Sequence, residues 1–324
     1  MKKQYLNIAL TAIVTAAILA GCGNSSTTAA TTAAPATTAA QTTAAQTTAA
    51  AATEAATEAQ TEEETEAPAA EPINLTIGVV GSIYDEMWEP AIELLAEQGI
   101  NLETVQFSDY VTPNNALANG EIDLNGFQHR IFLNSEIENY GYELTNIANT
   151  FVSPMNLYSN KVKTIEEIKD GDVIAIPNDV TNGGRAIKVL AEAGLYTLKA
   201  DAGFNPTVED IESYNVEITI EELAANTIPS ALPDVTAAII NGNYALDFGL
   251  RETDAVYKDA MREEEYWNLI AARTADLSDP VLVEAYDKVV KAYQTAATEA
   301  IYDENFGGYY KAVGWDQDLL ADYK

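Results

Sequence analysis

The sequence has little of the chemistry that most enzymes use. Its 324 residues include one histidine, His129, and one cysteine, Cys22. A single cysteine excludes internal disulfides and multi-cysteine metal sites. The motifs GxSxG, HExxH and GxxxxGK[ST], which mark nucleophile elbows, zinc peptidases and phosphate-binding loops, are missing from the sequence. We therefore predict a protein without catalytic residues, bound metal or cofactor, and not an enzyme.

Basic residues are also scarce. The chain has 17 Lys and Arg against 50 Asp and Glu, a formal net charge of −33. Residues 73–324 alone carry 43 acidic and 15 basic side chains. A surface this negative repels polyanions, so nucleic acid is not an expected partner.

The N-terminus has the pattern of a bacterial export signal. Two lysines precede a short apolar run that ends at Leu19-Ala20-Gly21, directly before Cys22. The run is too short for a comfortable membrane span. Because Leu-Ala-Gly-Cys resembles a lipobox, we predict a lipoprotein signal peptide over residues 1–21 and acylation, including palmitate, at Cys22. The protein would then be lipid-anchored at the extracytoplasmic face of the cell membrane.

Residues 22–72 form a low-complexity segment of mainly Ala, Thr, Gln and Glu. Such a composition offers no large apolar side chains to offset the entropy of ordering, so we predict a disordered tether. As flexible coil, about 50 residues would span roughly 40 Å.

From residue 73 onward, apolar runs alternate with amphipathic segments. Strands are predicted at 75–80, 101–107 and 121–128, with helices around 85–99 and 112–120 between them. This alternation is typical of a parallel α/β sheet.

A second series of the same kind begins at residues 172–179, and one long amphipathic helix is predicted from 280 to about 301. We therefore predict two α/β lobes. Lobe 1 comprises residues 73–155 and 245–324, and lobe 2 comprises residues 156–244.

The single histidine lies in the segment FQH, near the end of the third predicted strand. Residues two apart in a strand face the same side, so Phe127 and His129 are predicted to point together. Ligands of open α/β sheets bind at the carboxyl ends of strands. A lone histidine is commonly packed in a core, however, and position alone leaves both roles open.

Arg185 is predicted in the first turn of the helix that follows the turn PNDVTNGG. A cation there opposes the helix dipole, so an anion is expected close by. A ligand carboxylate, held by the guanidinium and by free backbone N–H groups, would supply it. A surface arginine paired with one of the many acidic side chains is the alternative.

Asn241 ends the apolar run TAAIIN. Its amide can donate and accept at once, which suits the ammonium and carboxylate of a zwitterion. Since Asn-Gly is also a strong turn dipeptide, a plain turn is the alternative.

Several segments together resemble a known family. In this order along the chain they read FSDYVTPNNALANGEIDLNGFQH, NTFVSPMNLYS, IPNDVTNGGR, FNPTVEDIE and AAIINGNYA. They resemble the NlpA-type lipoproteins, the methionine-binding components of ABC importers, over about residues 75–320. The resemblance implies a two-lobed, periplasmic-binding-protein-like α/β fold with a ligand cleft between the lobes. It also implies a monomer that passes methionine to a permease driven by a separate ATPase.

The same resemblance implies a ligand pocket. Arg185 would take the carboxylate, Asn182 and Asn241 would orient the carboxylate and amine, and aromatic rings would enclose the side chain. The implied pocket residues are Tyr110, Phe127, His129, Asn182, Arg185 and Asn241.

Some residues depart from the family pattern, including Ser153, Val180 and Gly183. Tyr84 and Trp88, one helical turn apart, are predicted to be core or rim residues. Another small amino acid or a methionine-containing dipeptide is therefore an alternative ligand. A surface sensory or adhesion lipoprotein is an alternative function.

Overall fold

The computed structural model describes residues 71–324. The predicted signal peptide, the predicted lipidation site Cys22 and nearly all of the predicted tether lie outside the described residues. Within residues 71–324, no helix is both long enough and apolar enough to cross a membrane.

The alternation of strands and helices agrees with the sequence pattern, and the elements follow in three groups. The first group is β1 (Ile73–Val80), α1 (Ile83–Ala96), β2 (Ile100–Phe107), α2 (Thr112–Ala118), β3 (Leu124–Asn125), α3 (Arg130–Tyr140), β4 (Leu144–Asn149) and β5 (Phe151–Val152). The second group is β6 (Met155–Tyr158), β7 (Val173–Pro177), α4 (Val180–Glu192), β8 (Tyr196–Leu198), β9 (Ile211–Tyr214), β10 (Thr219–Leu223), α5 (Ile228–Ala231), β11 (Ala237–Asn241), α6 (Gly242–Asp247) and β12 (Ala255–Tyr257). The third group is β13 (Leu269–Arg273), α7 (Pro280–Tyr293), α8 (Ala296–Glu304) and β14 (Lys311–Ala312).

Two five-stranded sheets organise these elements. The first has the order β2-β1-β3-β13-β4, and the second has the order β10-β7-β11-β6-β12. In each sheet three neighbouring strands are parallel, and the fourth strand runs antiparallel to its neighbours. Each sheet is therefore mixed rather than purely parallel as predicted. Helices pack on the buried faces of both, which is why the strands read as continuous apolar runs.

The chain passes between the sheets twice. Residues 153–154 follow β5 and lead to the second sheet, and residues 258–268 lead from the second sheet back to the first. We call these two segments the crossovers. The predicted lobe limits differ from this division, because β6 begins at Met155 and β12 pairs with β6 in the second sheet. The second sheet thus draws on residues up to Tyr257, past the predicted limit at residue 244.

Two predicted elements are wrong in extent. The helix predicted from 280 to about 301 is two helices, because Thr295 caps a new helix by accepting from the Thr298 backbone N–H. Gln294, at the break, donates its side-chain amide to the Asn149 carbonyl at 2.8 Å. The strand predicted at 121–128 is only the two residues of β3.

Candidate functional site

A cavity lies where the carboxyl ends of the parallel strands of both sheets meet. It holds about 440 Å³ of atom-free space, counting its open mouth. The first crossover, the start of α4 and the turn after β11 contribute to its wall. The lining side chains include all six predicted pocket residues: Tyr110, Phe127, His129, Asn182, Arg185 and Asn241. Their role as ligand contacts stays a prediction.

His129 is the N-cap of α3, where its Nδ1 accepts from the Phe132 backbone N–H at 3.2 Å. Since Nδ1 accepts, the ring proton is on Nε2, which donates to Asn182 Oδ1 at 3.2 Å across the cleft. Burial, with a further contribution from the Arg185 charge, lowers the pKa of His129 to about 3. The histidine is therefore neutral at physiological pH and joins the two halves of the site.

The prediction of a strand through Phe127 and His129 is wrong, although both rings reach the cavity. The segment 127–129 lies beyond β3, and Gln128 lines the cavity as well. The Gln128 amide is bonded to Asn114 and Asn125, which fixes its orientation.

A chain of amides runs from the N-terminus of α4 into the cavity. Asp179 caps the helix by accepting from the Asn182 backbone N–H at 2.9 Å, and both of its oxygens accept from Asn182 Nδ2 at 3.0 Å. Asn182 Oδ1 must then point away from Asp179, and it accepts from Asn241 Nδ2 at 2.8 Å. This chain of hydrogen bonds fixes the orientation of both amides. Asn241 Oδ1 therefore faces away from Asn182, and it is buried and without a partner.

Arg185 is buried and already paired. Its Nη2 donates to the Ser153 carbonyl at 2.8 Å and forms an ion pair with Asp259, whose side chain is 8% exposed. The guanidinium lies 4.4 Å from the centre of the Tyr266 ring, and Nε has no partner. Arg185 is the sixth residue of α4, not in its first turn as predicted. The anion beside it is the carboxylate of Asp259, which sequence reasoning missed.

Aromatic rings form the opposite wall. The rings of Tyr110 and Phe127 are stacked with centres 5.9 Å apart, and Phe132 lies 6.2 Å from each of them. Burial raises the pKa of the Tyr110 hydroxyl well above its usual value, so it stays protonated and donates to Asn243 Oδ1 at 2.5 Å. Asn243 donates in turn to the Val80 carbonyl at 2.9 Å, which fixes this wall to the end of β1.

Sequence reasoning missed several lining residues, among them Phe132, Asn243, Asn268 and Tyr310. Asn243 follows Asn241 by two positions, so the polar run after β11 was the one available signal. Both aromatic residues of α1 are buried in the core. Tyr84 lines the cavity, whereas Trp88 packs on Tyr293 with ring centres 4.3 Å apart. Among residues 71–324, no cluster of His, Cys, Asp or Glu is arranged to hold a metal ion.

Known proteins are similar to this chain in sequence and fold. Residues 75–313 match the NlpA lipoprotein family. The chain is 36% identical over 242 residues to the D-methionine-binding lipoprotein MetQ of Escherichia coli K12, covering 74% of this chain and 88% of that protein. A nutrient binding protein from Burkholderia cenocepacia, solved bound to methionine, is similar with a TM-score of 0.69 and 36% identity, covering 74% of this chain and 100% of that one. The substrate binding protein of a methionine transporter from Streptococcus pneumoniae gives a TM-score of 0.70 and 33% identity, covering 74% and 98% of the two chains.

Proposed function

The chain belongs to the NlpA lipoprotein family, and from this premise we propose that it is the substrate-binding lipoprotein of an ABC importer for methionine. Its activity is to bind the amino acid in the cavity between the two sheets and pass it, unchanged, to a permease driven by an ATPase. The relatives named for methionine binding and methionine transport support this assignment.

One observation carries the proposal. Arg185 Nε, a donor, and Asn241 Oδ1, an acceptor, are both buried without a partner on residues that line one cavity. Buried polar groups are normally hydrogen-bonded, so we expect a bound ligand to supply a partner for each of these two atoms. The carboxylate of an amino acid accepts from a guanidinium, and its ammonium donates to an amide oxygen. A zwitterionic amino acid would satisfy both atoms at once.

The aromatic wall favours methionine among the amino acids. Tyr110, Phe127 and Phe132 offer ring faces and edges on one side of the cavity. A thioether sulfur gains about 0.3–1.5 kcal/mol from contact with an aromatic ring. A charged side chain would lose its hydration here without gaining an ion pair.

Thermal unfolding in the presence of amino acids tests the ligand. A ligand at about 100 times its Kd stabilises the folded state by about 2.7 kcal/mol. Methionine should therefore raise the Tm more than alanine, glutamate or lysine at equal concentration. Phe127→Ala should reduce the methionine shift, whereas Phe248→Ala, a half-exposed position outside the cavity lining, should leave it unchanged.

Equal shifts from all four amino acids, or none, would refute methionine as the ligand. A shift produced only by a methionine-containing dipeptide would identify that class instead.

We also propose that the protein acts as a monomer held at the extracytoplasmic face of the membrane by lipid on Cys22. Cys22→Ala should then release a folded protein into the medium. Retention of this variant on washed membranes would contradict the lipid anchor.

A further inference from the structure

The charge of the cavity depends on a residue outside its lining. Of the ionisable groups in the lining, Arg185 carries a full charge, and His129 is neutral because its Nδ1 accepts from a backbone N–H. The Arg185 charge is balanced by Asp259, which lies behind it on the second crossover. Both side chains are at most 8% exposed, so solvent screens the pair weakly.

Asp259 is held firmly in this place. Its Oδ2 accepts from the Met155 backbone N–H at 3.1 Å, and its Oδ1 accepts from the Met261 backbone N–H at 3.0 Å. Its own N–H donates to Asn156 Oδ1 at 2.9 Å. Together with the bond from Arg185 to the Ser153 carbonyl, these contacts tie the two crossovers to each other and to α4. The carboxylate cannot swing away when a ligand enters without breaking this network.

Two other charged groups near the pair, Asp179 and Lys188, have partners of their own. Asp179 lies behind Asn182, where its carboxylate caps α4. Lys188, one turn beyond Arg185, lies 3.6 Å from Glu263. The Arg185–Asp259 pair thus adds no net charge to the cavity and Asp179 adds a negative one, so Arg185 offers no unbalanced positive charge to an anion.

We propose that Asp259 is a specificity-determining residue that makes the cavity select net-neutral zwitterions over net-anionic acids of the same shape. The inference rests on the proposed function and names the residue that sets the charge class of its ligand. A zwitterion brings one positive and one negative group and leaves the net charge of the site unchanged. An anion would share Arg185 with Asp259 and leave one buried negative charge unbalanced, which is costly in a poorly screened site.

The probe is the 2-hydroxy analogue of methionine, 2-hydroxy-4-(methylthio)butanoate. It keeps the carboxylate and the thioether and replaces the ammonium by a hydroxyl, which can still donate to Asn241 Oδ1. It therefore differs from methionine chiefly by one positive charge. Calorimetry at pH 7 measures the ratio of the two Kd values in the full-length protein.

Wild-type protein should prefer methionine over the hydroxy acid by at least about 100-fold. In Asp259→Asn the attraction to the ammonium is lost and the site gains one positive charge, so the preference should fall by at least about tenfold. Glu263→Gln removes a carboxylate from the same crossover, but one paired with Lys188, and should keep the wild-type ratio.

A hydroxy acid that binds wild-type protein within about threefold of methionine would overturn the inference, whether or not the Asp259→Asn variant folds. So would an unchanged ratio in a folded Asp259→Asn. Wild-type protein that bound no methionine would refute the proposed function itself, which separates the two failures.

Discussion

Arg185 and Asp259 form a buried pair in which each charge depends on the other. Replacing Arg185 by alanine leaves the Asp259 carboxylate buried beside two backbone N–H donors but without its cation. Breaking a buried pair in this way costs about 3–5 kcal/mol. We therefore expect Arg185→Ala to lose both methionine binding and about 3 kcal/mol of unfolding free energy.

Urea unfolding at pH 7 measures the stability loss. Lys258→Ala is the control, because Lys258 forms a 3.2 Å pair with Glu252 in which both side chains are more than 40% exposed. Such a pair contributes less than about 1 kcal/mol. Equal losses in the two variants would mean that the Arg185 pair contributes no more than a surface contact.

His129 gives the protein a pH dependence that can be assigned to one residue. Its pKa is about 3 when folded and near the ordinary 6.5 when unfolded, so the unfolded chain binds the proton more readily. The stability contributed by neutral His129 is fully present above pH 6.5 and falls as pH drops from 6.5 towards 3. Between pH 7 and pH 5 the loss should be about 2 kcal/mol.

Urea unfolding of wild type and His129→Asn at pH 7 and pH 5 measures this loss of unfolding free energy. The chain has no other histidine, and carboxylates contribute similarly to both proteins, so the difference between the two pH slopes isolates His129. Identical slopes would show that the histidine is not buried in its neutral form.

For single residues, the sequence predicted which side chains line the cavity better than it predicted the groups that these side chains pair with. Arg185 and Asn241 were accessible because each follows an apolar run with a recognisable turn pattern, whereas Asn182 was implied by the family resemblance. Asp259 was not accessible, since it lies 74 residues from Arg185 in a segment with many other acidic residues. Which carboxylate neutralises the arginine is decided by the path of the second crossover.

Helix α4 supports the site through its first turn. Asp179 accepts from the backbone N–H and the side-chain amide of Asn182, and so orients the amide that bonds Asn241. We expect Asp179→Ala to cost about 1 kcal/mol of stability through the lost cap. We also expect it to weaken methionine binding at least about tenfold, because Asn182 is no longer held.

The control is Asp279→Ala, which removes the N-cap of α7, where Asp279 accepts from the Val281 backbone N–H at 2.8 Å. Its stability loss should be similar, while calorimetry should show unchanged methionine affinity. Equal effects of the two variants on affinity would place the role of Asp179 in stability alone.

The ends of helices were predictable where a local sequence signal determines them. The first helix ends close to Gly99, which has a positive φ of 74°, and α2 begins with Pro113 in its first turn, as the pattern indicated. The break after α7 was not predictable from periodicity, since the apolar face continues into α8. The break coincides with the Thr295 cap and with the contact of Gln294 with β4.

In the whole molecule, the cavity lining and the connections between the two sheets coincide. Ser153 lies on the first crossover and Asp259 on the second, and Arg185 from α4 contacts both. His129 reaches Asn182 across the cleft, and Tyr110 reaches Asn243. A ligand held by Arg185 and Asn241 would therefore touch the network that joins the two halves of the fold.

The two-sheet architecture followed from the repeated strand and helix pattern, whereas the lobe limits did not. A strand of three residues such as β12 carries too little pattern to show which sheet it joins. Its place is decided by pairing with β6, about 100 residues earlier in the chain.

The most direct test of this account is a crystal structure of the protein grown with methionine. We expect the ligand carboxylate at hydrogen-bond distance, about 2.7–3.2 Å, from the Arg185 guanidinium, and the ammonium at the same distance from Asn241 Oδ1. The thioether should lie against Tyr110 and Phe127, with the Arg185–Asp259 pair intact. Methionine bound elsewhere, or with its ammonium at Arg185, would contradict the account.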